Sequence, residues 1–470
     1  MTRKPTAETL ARFSAIVGDK GVISNARDQQ AYLHEWRDLW QGATPLVLRP
    51  ASTEEVSHIM AIAHETETAI VPQGGNTGLV GGQIPNADGC EVLLSLDRMT
   101  NIIAVDAADF SITVEAGATL ASVQAAAAHA DRLFPLSLAS EGSCRIGGNL
   151  ASNAGGVNVL AYGNARDLCL GLEVVLADGR VLNGLKALRK DNTGYDLRNL
   201  FIGSEGTLGI ITKAVLKLYP KPRRHDTAFI AVPSPEAAVS LLSRFKQHAN
   251  SSVVAFELIP ELAVGFVTKH MGVARPLAGV SPWYVLSEFA DAAPDAMHTA
   301  LEEAMAEGLV SDAALAQNES QRLAFWELRE KLSDSQKFEG GSIKHDVSVP
   351  VSRIPLFIPE AITAVENFMP GCRFMCFGHL GDGNLHFNVS QPLGLEKQAY
   401  LNRWPEMSRI VHDIVMKHAG SISAEHGIGQ LKREDMRRVK SAVELDVMRG
   451  LKAMLDPKGI LNPGKVLPAE

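Results

Sequence analysis

Short apolar runs alternating with segments of helical period dominate this chain from Pro45 onward. Ahead of them, Leu10, Phe13, Ile16 and Val17 fall at helical spacing, so residues 6–36 predict a helical preface. Leu46 to Leu48, bracketed by Pro45 and Pro50, predicts a strand, and Ser52 with Glu55 forms a capping box opening a helix over 53–65. Ala69 to Val71 predicts a second strand, running into the glycine-rich stretch Gly74 to Gly82. Strands follow at 92–96 and 111–116, then an alanine-rich helix at 120–129. A second glycine-dense region, 142–163, precedes a strand at 172–176 and a tight Asp178-Gly179 turn. Two prolines in Pro220-Lys221-Pro222 mark an extended linker. Beyond it, strands at 226–232 and 252–258 flank a helix at 235–248, and this β-α-β rhythm continues to about residue 390. The tail from Gln398 is mainly helical, and no internal repeat is visible.

With 470 residues the chain is long enough for two or three domains. Its 46% hydrophobic and 21% charged residues are those of an ordinary folded protein. A net charge of -8 without any Lys/Arg-rich tract argues against a nucleic-acid partner. The five cysteines are too scattered for a disulfide framework and fit a reducing compartment. Cys372 and Cys376 have no second pair beside them, so they are not read as a metal site. The first residues lack the apolar core of a secretion signal, and Glu8 argues against a transit peptide. No apolar run approaches the length of a membrane span. A cytoplasmic location is expected.

Two features carry chemistry. The apolar runs 374–377 and 385–389 predict a hairpin around Gly381-Asp382-Gly383-Asn384, with His379 and His386 on either side of the turn. His386 and Asn388 share a face because strand side chains alternate. Further on, Ser423-Ala424-Glu425-His426-Gly427 offers a carboxylate and another imidazole beside glycine. Two histidines and one carboxylate with open positions make a catalytic metal set, which by itself suits a metallohydrolase. The second feature is the pair of glycine loops, Pro72 to Gly78 and Gly142 to Asn149. Neither fits G-x-G-x-x-G opening a helix, so a Rossmann site is not supported. Loops of this kind turn successive amides toward one point, a concavity for phosphate oxygens. Two in one domain suggest a long ligand with a diphosphate and flat rings.

Pro72 to Gly82, Gly147 to Gly156 and Gly203 to Thr212 together resemble the flavin-binding motifs of the p-cresol methylhydroxylase/vanillyl-alcohol oxidase superfamily. The resemblance spans about residues 30–470, including Asn462-Pro463-Gly464-Lys465. It implies an α+β fold: a two-subdomain FAD-binding domain of the vanillyl-alcohol oxidase type, and a substrate (cap) domain with an antiparallel sheet and a helical C-terminal segment. The expected divisions are 1–40, 41–221, 222–425 and 426–470. Pro72, Gly74, Gly75, Asn76, Thr77 and Gly78 would bind the cofactor at its diphosphate. Gly142, Gly147, Gly148, Asn149, Ser152 and Gly156 would line the flavin, with Ile210 and Ile211 near the adenosine and Asn462 near the ring. The first loop carries no histidine for covalent attachment, so the resemblance implies non-covalent FAD.

Within that superfamily, the histidine hairpin with Glu425-His426 is similar to the branch of D-lactate, glycolate and D-2-hydroxyglutarate dehydrogenases. A divalent metal, expected to be zinc, on His379, His386 and Glu425 would lower the substrate hydroxyl's pKa, and His426 would take its proton. Arg329, Ser333, Lys344 and Asn388 would bind the substrate. The stretch 326–333 reads as one helix with Arg329 and Ser333 on a common face. Ser333 stands where a threonine is often found in that branch, and a hydroxyl is kept. Two cations suit a dicarboxylate, making D-2-hydroxyglutarate the expected substrate. D-lactate or D-malate is the alternative within the family. A zinc hydrolase leaves the glycine loops without a purpose, and a non-catalytic flavin subunit leaves the metal set without one. The resemblance also implies an electron-transfer flavoprotein or a quinone as acceptor, with oxygen a poor one, and a homodimer.

Overall fold

A computed structural model describes residues 4–469, so positions 1–3 of the expected 1–40 division and 470 of the expected 426–470 division lie outside the described residues. The chain forms two compact units: Met1–Ala154 with Asn164–Lys221 and His426–Glu470, and Gly155–Gly163 with Pro222–Glu425.

The first unit carries two principal sheets. One is four-stranded, in the order Val22–Ile23, Val47–Leu48, Val92–Ser95, Ile70–Gln73, and parallel apart from its first pair. Val92–Ser95 is buried at every position, as expected of an inner strand covered on both faces. Helix Thr53–Thr66 is opened by Ser52, whose hydroxyl accepts from the Glu55 amide. The other sheet is five-stranded and antiparallel: Ile102–Asp106, Ser111–Glu115, Ile210–Lys217, Cys169–Val175, Val181–Gly184. The second glycine region is not all loop. Its residues Ile146–Ala151 are helical, and Gly155–Gly163 belongs to the second unit.

The second unit is built on a seven-stranded antiparallel sheet. Its order is Asp312–Leu315, His225–Val232, Trp283–Ala290, Val253–Pro260, Arg373–His379, Asn384–Ser390, Ser342–Ser348. On one face Phe229, Ile259, Tyr284, Leu286, Met375 and Phe377 pack with Phe266, Phe325 and Leu328 of helices Glu261–Met271 and Glu319–Glu330. Each such buried side chain contributes about 1.5–3 kcal/mol. Phe387 points to the other face, 5.9 Å from the ring of Phe357 in helix Ile354–Phe368.

Two expectations need correction. The helix expected across 326–333 ends at Glu330 and resumes as Leu332–Ser335. At the joint Lys331 has ψ -4°, well short of the helical value, which swings the next turn around. Arg329 and Ser333 thus lie on either side of the break, the first buried and the second exposed. The hairpin strand runs on to His379, and a 3₁₀ turn at Leu380–Asp382 with Gly383 at φ 92° closes the loop. His386 stands opposite Phe377 in the register, so His379 meets it on the diagonal.

Candidate functional site

In the first unit the two glycine loops lie edge to edge. A Cβ on Gly75 would sit 2.0 Å from the Ser143 carbonyl oxygen, and one on Gly74 3.5 Å from the Gly148 Cα. Gly147 is pressed on Ala116 at 2.8 Å, whereas a Cβ on Gly142 or Gly148 would meet nothing within 4 Å. These two therefore leave an open backbone edge. The amides of Gly74, Gly75, Asn76, Thr77 and Gly78 donate to no acceptor among the described residues. The Asn76 side chain is spent on holding the loop, donating to the carbonyls of Ala31 at 3.1 Å and His34 at 2.8 Å. Unclaimed consecutive amides beside an open glycine edge fit a diphosphate.

The other first-unit candidates are structural in their visible contacts. Pro72 packs under Gly206, whose Cβ position lies 2.5 Å from Pro72 Cγ. Asn149 is buried with its amide 3.6 Å from Cys144 Sγ, and the Ser152 hydroxyl donates to Gly148 O at 3.0 Å. Ile210 and Ile211 are buried strand residues opposite Val175 and Val174. Asn462 donates its side-chain amide to Gly82 O at 2.9 Å and Glu205 O at 2.8 Å, and its buried Oδ1 has no partner among the described residues. Glu205 accepts from the amides of Ile428 at 2.7 Å and Gly429 at 2.8 Å, and its burial raises its pKa. One carboxylate thus joins segments more than two hundred residues apart.

The second unit gathers its polar residues on one face of the sheet, and the strand register explains how. Glu257 pairs with His379, Phe377 with His386, and His386 with Asp346. One row further along, Met375, Asn388 and Lys344 stand side by side. Ligand atoms of His379, His386 and Glu425 all lie within 4.8 Å of one another. The two imidazole rings are 5.6 Å apart, and His379 Nε2 lies 3.7 Å from Glu425 Oε1. The donor types fit a divalent cation of the zinc, manganese, cobalt or iron class.

Three groups outside the trio hold it. Glu257, with 0% exposure, takes His379 Nδ1 on one oxygen at 2.6 Å and Arg329 Nε on the other at 2.7 Å. Burial alone would raise this carboxyl, but the two cations outweigh it and hold it at about 2. Burial likewise opposes charge on His379, yet Glu257 and Glu425 lift it to about 9. The pair fixes Nε2 as the nitrogen facing Glu425. Asp346 accepts from Asn384 Nδ2 at 2.9 Å and from the Glu425 amide at 2.9 Å, with His386 Nδ1 at 3.8 Å. Gly156, expected to line a flavin, has its amide on Glu425 Oε1 at 2.5 Å. Burial and the neighbouring Asp346 push Glu425 up, while His379 opposes them. A cation settling between Nε2 and Glu425 displaces the imidazole proton, so its binding is linked to pH.

Lys344 Nζ lies 3.0 Å from Ser333 Oγ, so these two expected ligands meet. Arg329 sits three strands away from Lys344, on Glu257, and 5.0 Å over the Phe377 ring. Asn388 is buried, and its Nδ2 donates to Gln336 Oε1 at 3.0 Å. His426 follows Glu425 directly and opens the return of the chain to the first unit. Glu257, Asp346, Glu205 and Gln336 are absent from the sequence reading. Glu257 alone had a signal: a single carboxylate inside the apolar run 253–259, where a buried charge requires a partner.

Residues 221–466 match the family described as FAD linked oxidases, C-terminal domain, and residues 44–184 match the FAD binding domain family. The chain is 38% identical over 469 residues to the probable mitochondrial D-2-hydroxyglutarate dehydrogenase of Oryza sativa subsp. japonica, covering 98% of this chain and 82% of the relative. It is 38% identical over 442 residues to the D-2-hydroxyglutarate dehydrogenase of Xanthomonas citri pv. viticola, covering 93% of this chain and 92% of the relative. Among solved structures, p-cresol methylhydroxylase with substrate bound superposes with a TM-score of 0.76 at 16% identity, covering 98% of this chain and 96% of that one. This likeness shows the fold, the α+β architecture expected from the flavin motifs. The expected cytoplasmic location is overturned, because the relatives from rice, Arabidopsis thaliana, Danio rerio, Rattus norvegicus and Bos taurus are named as mitochondrial. All five cysteines are free. Among the described residues no helix is long and apolar enough to cross a membrane.

Proposed function

This chain belongs to the FAD-linked oxidase family, and we propose that it oxidises D-2-hydroxyglutarate to 2-oxoglutarate using non-covalent FAD and a divalent cation. Names of relatives at 38% identity support the substrate. The observation that carries the reading is the register of the second unit's sheet. It sets the Asn388–Lys344 pair one row beyond the His386–Asp346 pair. Alternate residues of an antiparallel strand are about 6.8 Å apart. Four carbon–carbon bonds of about 1.5 Å separate the carboxylate carbons of a five-carbon diacid by about 5 Å when extended. One carboxylate at the histidine row brings the other toward Lys344, whereas lactate ends short of it.

Gly74 to Gly78 and Gly142 to Asn149 would hold the FAD, and His379, His386 and Glu425 the cation, for which zinc suits the donors. When bound, these groups supply a hydride acceptor and Lewis acidity toward the substrate hydroxyl. Glu257 keeps His379 in the tautomer that presents Nε2. His426 takes the hydroxyl proton. Lys344, Ser333, Arg329 and Asn388 neutralise and orient the distal carboxylate. Residues 41–221 act as the flavin domain and 222–425 as the substrate domain, with the chain as a homodimer passing electrons to an electron-transfer flavoprotein or a quinone.

Lys344→Met tests the reading. With a dye acceptor, kcat/KM for D-2-hydroxyglutarate falls by about 10- to 100-fold, the worth of one charge-assisted bond, while D-lactate oxidation changes little. Unchanged kcat/KM for the diacid removes the distal-carboxylate assignment. Activity lost on chelation and restored by a divalent ion supports the metal, and chelator-resistant turnover excludes it.

A further inference from the structure

The segment 332–339 crosses three strands of the second unit's sheet and grips each of them with one side chain. Ser333 Oγ meets Lys344 on the outer strand, Gln336 meets Asn388 on the next, and Glu339 is ion-paired with Arg373 on the third. Residues three apart eclipse in 3₁₀ geometry, and Gln336–Glu339 is such a turn. Gln336 and Glu339 therefore line up on one side of the segment, with Ser333 in the α-helical turn before them. Ser335 at 0% and Gln336 at 1% exposure are its buried anchors.

Gln336 is the unusual member. Its Oε1 accepts from Asn388 Nδ2 at 3.0 Å, and its Nε2 is buried with no partner among the described residues. A buried NH₂ group without an acceptor is destabilising. Exchanging oxygen and nitrogen in both carboxamides moves no heavy atom. In the exchanged pair Gln336 Nε2 donates to Asn388 Oδ1, and the group left over is a carbonyl oxygen, a cheaper orphan than an amide with two protons. The exchange also reverses what Asn388 offers elsewhere. Its Nδ2 is released to donate, on the residue whose register partner is Lys344. A donor next to an ammonium suits a carboxylate, and an acceptor there would repel one.

We propose that Gln336 is a positioning residue that sets the Asn388 carboxamide as a donor to the distal carboxylate, and so governs the preference for dicarboxylic over monocarboxylic 2-hydroxy acids. This rests on the function proposed above. The segment around it presents lysine, hydroxyl and amide as a single preorganised unit, and Gln336 decides which end of the amide faces the anion.

The test compares D-2-hydroxyglutarate with D-2-hydroxybutyrate, the same molecule with the distal carboxylate replaced by hydrogen, using FAD- and metal-loaded wild type, Gln336→Met and Gln336→Glu. Gln336→Met fills the space without directing the amide. It raises KM for the diacid about tenfold, with kcat within about twofold and hydroxybutyrate kinetics unchanged. Gln336→Glu keeps the size and the hydrogen bond, but its carboxylate accepts from Nδ2 and locks Asn388 the wrong way round, so its loss on the diacid equals or exceeds that of Met. Recovery in the Glu variant, or equal losses on both substrates, overturns the proposal in favour of simple packing. An unaltered substrate ratio in both variants overturns it as well. A wild type indifferent to the distal carboxylate overturns the functional reading itself, and this inference with it.

Discussion

Glu257→Gln is the substitution that most directly probes how the second unit is held together. The carboxylate is fully buried and bonded to His379 at 2.6 Å and Arg329 at 2.7 Å, so both oxygens serve cations. Glutamine keeps the size but has one acceptor, and its NH₂ must point at either an imidazole N–H or a guanidinium. Removing one partner of such a buried network costs about 3–5 kcal/mol. For a unit of roughly two hundred residues that lowers Tm by about 10 °C. The linkage has a definite sign. His379 stands at about 9, above its ordinary 6.5, so the pairing contributes fully below pH 6.5 and is lost as pH rises through 9. That difference corresponds to about 3 kcal/mol, and Glu257 at about 2 reports the same attraction, to be counted once. In chelated wild type, Tm falls between pH 6.5 and 9, while in Glu257→Gln it is nearly flat over that window. Losing the group that orients a ligating histidine also weakens cation binding by about 10- to 100-fold. Scanning calorimetry across pH and titration of activity against buffered free zinc read the two effects separately. A variant melting within about 2 °C of wild type at pH 6.5, with an unshifted zinc midpoint, would refute the reasoning.

Other consequences are as specific. Gly75→Ala drives a Cβ to within 2.0 Å of the Ser143 carbonyl and separates the loops, so both flavin absorbance and melting temperature drop. Gly148→Ala meets nothing within 4 Å and lies inside a helix, so the apoprotein melts no lower while flavin occupancy falls; equal behaviour of the two variants would contradict the cradle. Glu288 is buried, yet His225, Arg322 and Trp326 hold it at about 2 against that burial, so its stabilisation is present above pH 4.5 and lost as pH falls through 2. Glu288→Gln is thus expected to cost about 3 kcal/mol at pH 7, with urea melts of variant and wild type drawing together as pH falls from 4.5 toward 2.

The glycine loops and the histidine hairpin were legible because their signals are local. A strand running into successive glycines, or imidazoles flanking a short turn, needs only a few neighbouring residues to be recognised. The partners of those residues were not. Glu257 lies 122 residues from His379, and only the antiparallel register of their strands makes them opposite. Asp346 sits two residues from Lys344, which the sequence did single out, but its bond to the Glu425 amide spans 79 residues. Gln336 falls in a stretch without clear period, directly after a break at Lys331 that helical spacing does not reveal. The interrupted helix has the same origin: one backbone angle, ψ -4° at Lys331, breaks the apolar spacing on either side. Gly156 shows a different limit, since a glycine's role depends on what approaches it, here the Glu425 carboxylate.

The Arg329–Glu257–His379 chain has a consequence for how the second unit can evolve. Buried ionic networks are often no more stabilising than apolar side chains of equal volume. Stability alone therefore gives no reason to keep this one beside Phe377 and Met375 in an otherwise apolar cluster. What an apolar replacement could not do is transmit orientation. Glu257 presents two oxygens in fixed directions, turning the His379 Nε2 toward Glu425 and holding the Arg329 guanidinium by its Nε. The outer edge of that guanidinium is then left to a ligand, because its terminal nitrogens have no hydrogen-bond partner among the described residues. The His379 imidazole and the Arg329 guanidinium are positioned by one carboxylate, so neither can be moved without disturbing the other. A fixed separation between two anchoring points is what discrimination by substrate length requires, and a loose pair of independent cations would not provide it.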